Sequence, residues 1–100
     1  MEKRRPHYDL ARVQADVARL GAAAFTKTAM DGGRTMGLTT AEMLAVIASL
    51  SQRDFYKSMT SYADHRLWQD VYRSATPARK DAYIKISMRG AALVIQFKER

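Results

Sequence analysis

Cysteine is absent from the 100-residue chain, so no disulfide staples the fold and no thiolate can hold a metal. Histidine is nearly as scarce: His7 and His65 are the only two, too few for a histidine-rich structural zinc site. Acidic residues are a third shortage, with 10 against 17 lysines and arginines, for a formal net charge of +7. That imbalance favours a polyanionic partner, nucleic acid first, or an acidic protein. The basic residues are scattered from Lys3, Arg4 and Arg5 to Lys98 and Arg100, so a cationic patch has to be assembled by folding. A long apolar run is missing too. The most apolar stretch, MLAVIASL, is far too short to span a bilayer, and no apolar segment of signal-peptide length follows the charged opening MEKRRPHYD. The expectation is a cytoplasmic protein with no membrane partner.

What is present is an ordinary globular mix, 47% hydrophobic and 27% charged, which argues against disorder and predicts one domain over residues 1–100. In YDLARVQADVARLG, Leu10, Val13, Val17 and Leu20 recur at helical spacing, with Asp9 to cap the start and Gly21 to end the helix. Arg12, Asp16 and Arg19 fall on its solvated side. In LTTAEMLAVIASLS, Thr39 and Glu42 form a capping box, Leu38 and Met43 a hydrophobic staple, and Met43, Leu44, Val46, Ile47 and Leu50 a wide apolar face. Between these helices the pattern predicts a short strand over Ala22 to Phe25 and a short helix capped by Thr26, with Gly32 and Gly33 breaking it as a turn. The Gly pair lacks the further glycine and following lysine of a phosphate-binding loop.

After residue 53 the texture turns to strands. In DAYIKISMR, Ala82, Ile84, Ile86 and Met88 alternate with Tyr83, Lys85, Ser87 and Arg89; in GAALVIQFKER, Leu93, Ile95 and Phe97 alternate with Val94, Gln96 and Lys98. MRGAAL supplies the turn of a hairpin whose apolar face enters the core and whose other face carries Tyr83, Lys85, Gln96 and Lys98. FYKSMTSY and LWQDVYR read as two more strands joined around Ala63, Asp64 and His65, and SATPARK as the loop before the third strand, where Pro77 bars regular pairing. Their parity conflicts with a clean apolar face, because Lys57 alternates in step with Phe55 and Met59; a β-bulge would resolve it. Trp68 and Tyr72 have the opposite parity from Gln69 and are assigned to packing. The fold class is therefore α+β, N-terminal helices packed on one face of an antiparallel sheet formed mainly by residues 54–100.

A sheet face bearing Lys, Arg, Tyr and Gln suits RNA: cations hold phosphates, rings stack on unpaired bases and amides read base edges. Cleavage demands more, namely removal of a 2′-hydroxyl proton, in-line attack on phosphorus and protonation of the departing oxygen, none of which requires a metal or other cofactor. A histidine pair is the usual device, and none is evident here; a lysine with a lowered pKa can replace it, and a tyrosine can donate or relay a proton. Lys57, Lys98 and Tyr83 are the candidates, and Arg73, in strand parity with Gln69, offers a planar fork for phosphate.

DFYKSMTSYADHRLWQDVYR, together with MEKRRPH, YIKI and FKER, resembles the MqsR family of bacterial toxins over nearly the whole chain. The resemblance implies a RelE-like fold and a type II toxin that cuts single-stranded mRNA at GCU-like sites independently of the ribosome. It also implies growth arrest and a co-expressed MqsA-like antitoxin, with DNA engaged only through the toxin–antitoxin complex. The family's catalytic positions fall on Lys57, Gln69, Tyr83 and Lys98, while Arg73, Lys85 and His65 are added as RNA-binding residues. A non-catalytic nucleic-acid-binding regulator, or a docking module for an acidic protein, would use the same basic face.

Overall fold

The computed structural model describes residues 1–100. Strand β1 (Glu2–Lys3) is followed by helices α1 (Leu10–Leu20), α2 (Lys27–Thr35) and α3 (Thr40–Ser49) and strands β2 (Phe55–Thr60), β3 (Trp68–Ser74), β4 (Ala82–Arg89) and β5 (Ala92–Glu99). The strands form one antiparallel sheet in the order β1-β2-β3-β4-β5, so the expected α+β arrangement is the one observed. Each neighbour in the sheet from β2 onward is also the next strand in the chain, and short loops suffice to connect them.

Local signals explain where the helices begin and end. Asp9 accepts a hydrogen bond from the Ala11 amide at the start of α1, and Gly21 ends that helix at φ 60°. The Thr39 hydroxyl accepts from the Glu42 amide at 3.1 Å while the Glu42 carboxylate accepts from the Thr39 amide at 2.9 Å, completing the capping box of α3. The other end of α3 is closed from outside: the Gln14 amide nitrogen donates to the carbonyls of Ile47, Ala48 and Leu50 at 2.9–3.2 Å. The β4–β5 hairpin turns on Gly90, whose φ of 62° meets the requirement of a two-residue turn.

The core lies between the helices and one face of the sheet. Leu10, Val13 and Val17 of α1 and Met43, Val46 and Ile47 of α3 are buried with Tyr72, Ile84, Ile86, Ile95 and Phe97. Tyr72 thus takes the packing role expected of it; its hydroxyl finds no partner, and burial pushes its pKa up to about 12. Trp68 is only half-buried and lies outside that core, stacked against His7 with ring centroids 5.4 Å apart.

Two expectations between α1 and α3 are corrected. Gly21–Ala24 forms a single 3₁₀ turn instead of a strand, and only Phe25 pairs, by a lone parallel bridge to Ile95 on the free edge of β5. Gly32 and Gly33 do not break α2; they lie inside it. A Cβ on Gly32 would collide with the Phe97 carbonyl oxygen, and one on Gly33 with the Met43 sulfur. The glycines are there for close approach, letting α2 lie directly on β5 and α3, which outweighs their poor helix propensity. A further strand went unforeseen. β1 adds to β2 through Glu2↔Met59 and Lys3↔Ser58, and two residues are too short a run to show periodicity.

Gly32→Ala is therefore expected to destabilise the fold by about 1–3 kcal/mol in urea unfolding, although alanine is the better helix former. Gly33→Ala is expected to cost less, because the Met43 side chain can turn aside whereas the Phe97 backbone cannot. An increase in stability for Gly32→Ala would contradict the packing.

Candidate functional site

The parity conflict in FYKSMT is resolved by a bulge. Phe55 pairs with Tyr72 but Lys57 pairs with Val71, so Tyr56 is an extra residue and the strand's alternation reverses across it. Phe55 faces the core, 5.5 Å from the Tyr72 ring, whereas Lys57 and Met59 face the opposite side of the sheet. The register then aligns Lys57, Val71, Lys85 and Gln96 in one row across β2 to β5, and Arg73, Tyr83 and Lys98 in the next. Gln69 shares this outer face through its pairing with Met59. Six of the seven site residues expected from sequence thus converge: Lys57, Gln69, Arg73, Tyr83, Lys85 and Lys98. His65 does not, for it sits in the exposed turn joining β2 to β3, where Arg66 and not His65 bonds to Asp64.

Contacts among these residues are specific. The Arg73 guanidinium lies 3.7 Å from the centroid of the Tyr56 ring, which the bulge delivers, and the Lys98 ammonium lies 5.6 Å from that of Tyr83. Val71 is fully buried in spite of facing outward, at the position paired with Lys57 on one side and Lys85 on the other. Beyond Lys85 the face deepens into a groove of about 310 Å³, walled by Thr26, Thr28 and Ala29 of the α2 entry and by Tyr83, Lys85, Gln96, Phe97 and Lys98.

Glu2 joins the site unannounced by sequence. Its carboxylate accepts from the Lys57 ammonium at 2.5 Å, and the Lys57 side chain is only 19% exposed. The pair holds Glu2 below the usual carboxylate range and raises Lys57 above the usual lysine value. The opposite happens at Lys85: burial, then the charges of Lys98 and Lys57, push its pKa down. Two lysines of similar appearance in sequence therefore occupy different electrostatic settings.

The segment carrying Glu2 is tied down by a buried carboxylate. Asp70 of β3 accepts from the His7 amide at 3.0 Å, the Tyr8 amide at 2.9 Å and the Ser58 hydroxyl at 2.7 Å, and the Tyr8 hydroxyl donates to the Trp68 carbonyl at 2.7 Å. The Lys3 ammonium lies 2.9 Å from the His7 ring nitrogen and 4.1 Å from the centroid of the Trp68 ring. These contacts hold the opening MEKRRPH across the β2–β3 end of the sheet, so its conspicuous place in the sequence pattern has a structural cause.

A model of the MqsR toxin family, described as "Motility quorum-sensing regulator, toxin of MqsA", matches residues 5–99. The chain belongs to the MqsR toxin family. It is 41% identical over 100 residues to the mRNA interferase toxin MqsR of Escherichia coli (strain K12), and the match covers all of both chains. Tyr56, Thr26, Thr28 and Glu2 were not read from the sequence as site residues; only the anomalous parity of Lys57 pointed towards the bulge.

The opposed settings of Lys57 and Lys85 have a direct consequence. When the lysines are reductively ¹³C-methylated and titrated by NMR, Lys57 is expected to hold its proton to higher pH than Lys85. Glu2→Gln is expected to bring the Lys57 midpoint down and to leave Lys85 the lower of the two. A Lys57 midpoint indifferent to Glu2→Gln would show that the ion pair does not form in solution.

Proposed function

We propose that the chain, acting as a single toxin domain over residues 1–100, is a ribosome-independent endoribonuclease that cuts single-stranded mRNA at short GCU-like sites and arrests growth. The observation that carries this reading is the convergence of Lys57, Gln69, Arg73, Tyr83, Lys85 and Lys98 on one sheet face in a member of the MqsR toxin family. Lys57, Gln69, Tyr83 and Lys98 stand on four successive strands, a span of roughly 15 Å at the usual strand spacing. That length matches two or three nucleotides.

The chemistry follows from the side chains. The ammonium groups of Lys57 and Lys98 and the Arg73 fork neutralise the scissile phosphate and the crowded phosphorane that follows. Gln69 orients a base, and the Tyr83 phenol donates to a phosphate oxygen. The RNA's own 2′-hydroxyl attacks phosphorus, the bond from phosphorus to the 5′ oxygen breaks, and a 2′,3′-cyclic phosphate and a 5′-hydroxyl result. The route proposed is metal-independent, because the attacking hydroxyl belongs to the RNA itself and protein groups can move the protons.

The partner proposed is an MqsA-like antitoxin, after the family description, which would mask the basic face or its surroundings and bring DNA into play only as part of the complex. The site of action proposed is the cytoplasm, where mRNA is found; no helix is long and apolar enough to cross a membrane.

Purified protein incubated with mRNA in EDTA is expected to yield discrete fragments ending at GCU-like triplets. Lys57→Ala and Lys98→Ala are each expected to slow cleavage by about 10²-fold while leaving the thermal unfolding cooperative. RNA retained without product would instead favour a binding regulator. Cleavage that appears only with added metal would overturn the mechanism.

A further inference from the structure

Lys85 differs from Lys57, its neighbour in the row across the face. None of the chain's ion pairs includes it, whereas Lys57 is bound to Glu2. It is half-buried at the centre of β4, directly opposite Val71 on one side and Gln96 on the other. The charged and titratable groups facing it are Lys57 with Glu2 from β2 and β1, Arg73 from β3, Tyr83 from its own strand and Lys98 from β5. The α2 entry contributes only the neutral hydroxyls of Thr26 and Thr28 to the groove.

In-line displacement needs a base and an acid on opposite sides of phosphorus. Lys57 and Lys85 occupy the same row with the short Val71 between them, two strand spacings or about 10 Å apart at the backbone, so a phosphate seated over Val71 lies between the strand positions that carry them. Resting on the endoribonuclease reading above, we propose that Lys85 is the base that removes the 2′-hydroxyl proton and that Lys57, held by Glu2, is the acid opposite it. The 2′ oxygen forms its bond to phosphorus as its proton passes to the Lys85 amine. The bond to the 5′ oxygen breaks as that oxygen takes a proton from the Lys57 ammonium.

The electrostatic settings agree with this division. Burial and two neighbouring cations favour the neutral amine at Lys85, and the Glu2 carboxylate favours the ammonium at Lys57. Environments that push two titratable groups apart are what separate a base from an acid. Lys98, which is in none of the ion pairs and has its ammonium near Tyr83, keeps the phosphate-binding role proposed above.

The test uses single-turnover cleavage of a short RNA by the full chain. Lys85→Arg keeps the charge but cannot deprotonate, so RNA affinity is expected to stay within a few-fold while the cleavage rate falls by about 10²–10⁴-fold and loses its rise with pH. Because the chain has no cysteine, Lys85→Cys can be alkylated at that site alone to thialysine, a less basic lysine mimic. It is expected to restore cleavage with the rise displaced to lower pH, which also shows that the variant folds. An RNA with sulfur in place of the departing 5′ oxygen leaves without an acid; it is expected to rescue Lys57→Ala and not Lys85→Arg. Wild-type rate and pH profile in Lys85→Arg, or rescue of Lys85→Arg by the sulfur substrate, would overturn the assignment. Failure of the wild-type chain to cut any RNA would instead overturn the function on which it rests.

Discussion

Tyr56 is one residue too many for its strand, and the organisation of the sheet surface depends on that excess. With strict alternation, Lys57 would point with Phe55 into the core, where an ammonium has no water and no acid to meet. The bulge keeps Phe55 against Tyr72 and swings Lys57 to the other side, opposite Val71 and in line with Lys85. It also places the Tyr56 ring under Arg73, so the residue left without a ladder partner becomes a platform for a second cation. One inserted residue thereby separates an apolar face that holds the helices from a cationic face that meets solvent.

The second constraint is electrostatic. Massing lysines and arginines on one face raises their mutual repulsion, and Glu2 brings a carboxylate onto it against Lys57. Glu2 reaches this place because β1 pairs with β2 and because the residues just after it are clamped by Asp70. Asp70 is nearly fully buried, and its oxygens are satisfied by two backbone amides and a hydroxyl, the condition under which a buried carboxylate is tolerated. A core-side network thus anchors the segment whose carboxylate pairs with a lysine on the outer face. The resulting spread, Lys57 raised and Lys85 lowered, gives two identical side chains different chemistry.

Much of this was legible in the sequence where the cause is local. The Thr39–Glu42 capping box, the aliphatic stripe from Leu10 to Leu20 and the alternation in DAYIKISMR and LVIQFK each depend on neighbours a few residues away, and each element forms as read. The outward set Tyr83, Lys85, Gln96 and Lys98 followed from parity alone. Features with distant causes were not legible. Gly32 and Gly33 look like a turn until Phe97 and Met43 are brought against them. Glu2 and Lys57 are 55 residues apart, and β1 is too short to carry a pattern. The parity of FYKSMT showed that something must give; the position of the bulge followed only from the pairing with β3.

The central claim is that RNA lies on the face created by the bulge, across the row from Lys57 to Gln96. Its most direct test is methyl and lysine NMR of the chain titrated with a short 2′-O-methyl RNA, which binds but lacks the attacking hydroxyl. The account predicts that the Val71 methyls and the side chains of Lys57, Lys85 and Lys98 shift together, while core-facing Ile84, Ile86 and Ile47 stay near their free positions. Shifts concentrated on α1 and α3, with Val71 unmoved, would contradict it.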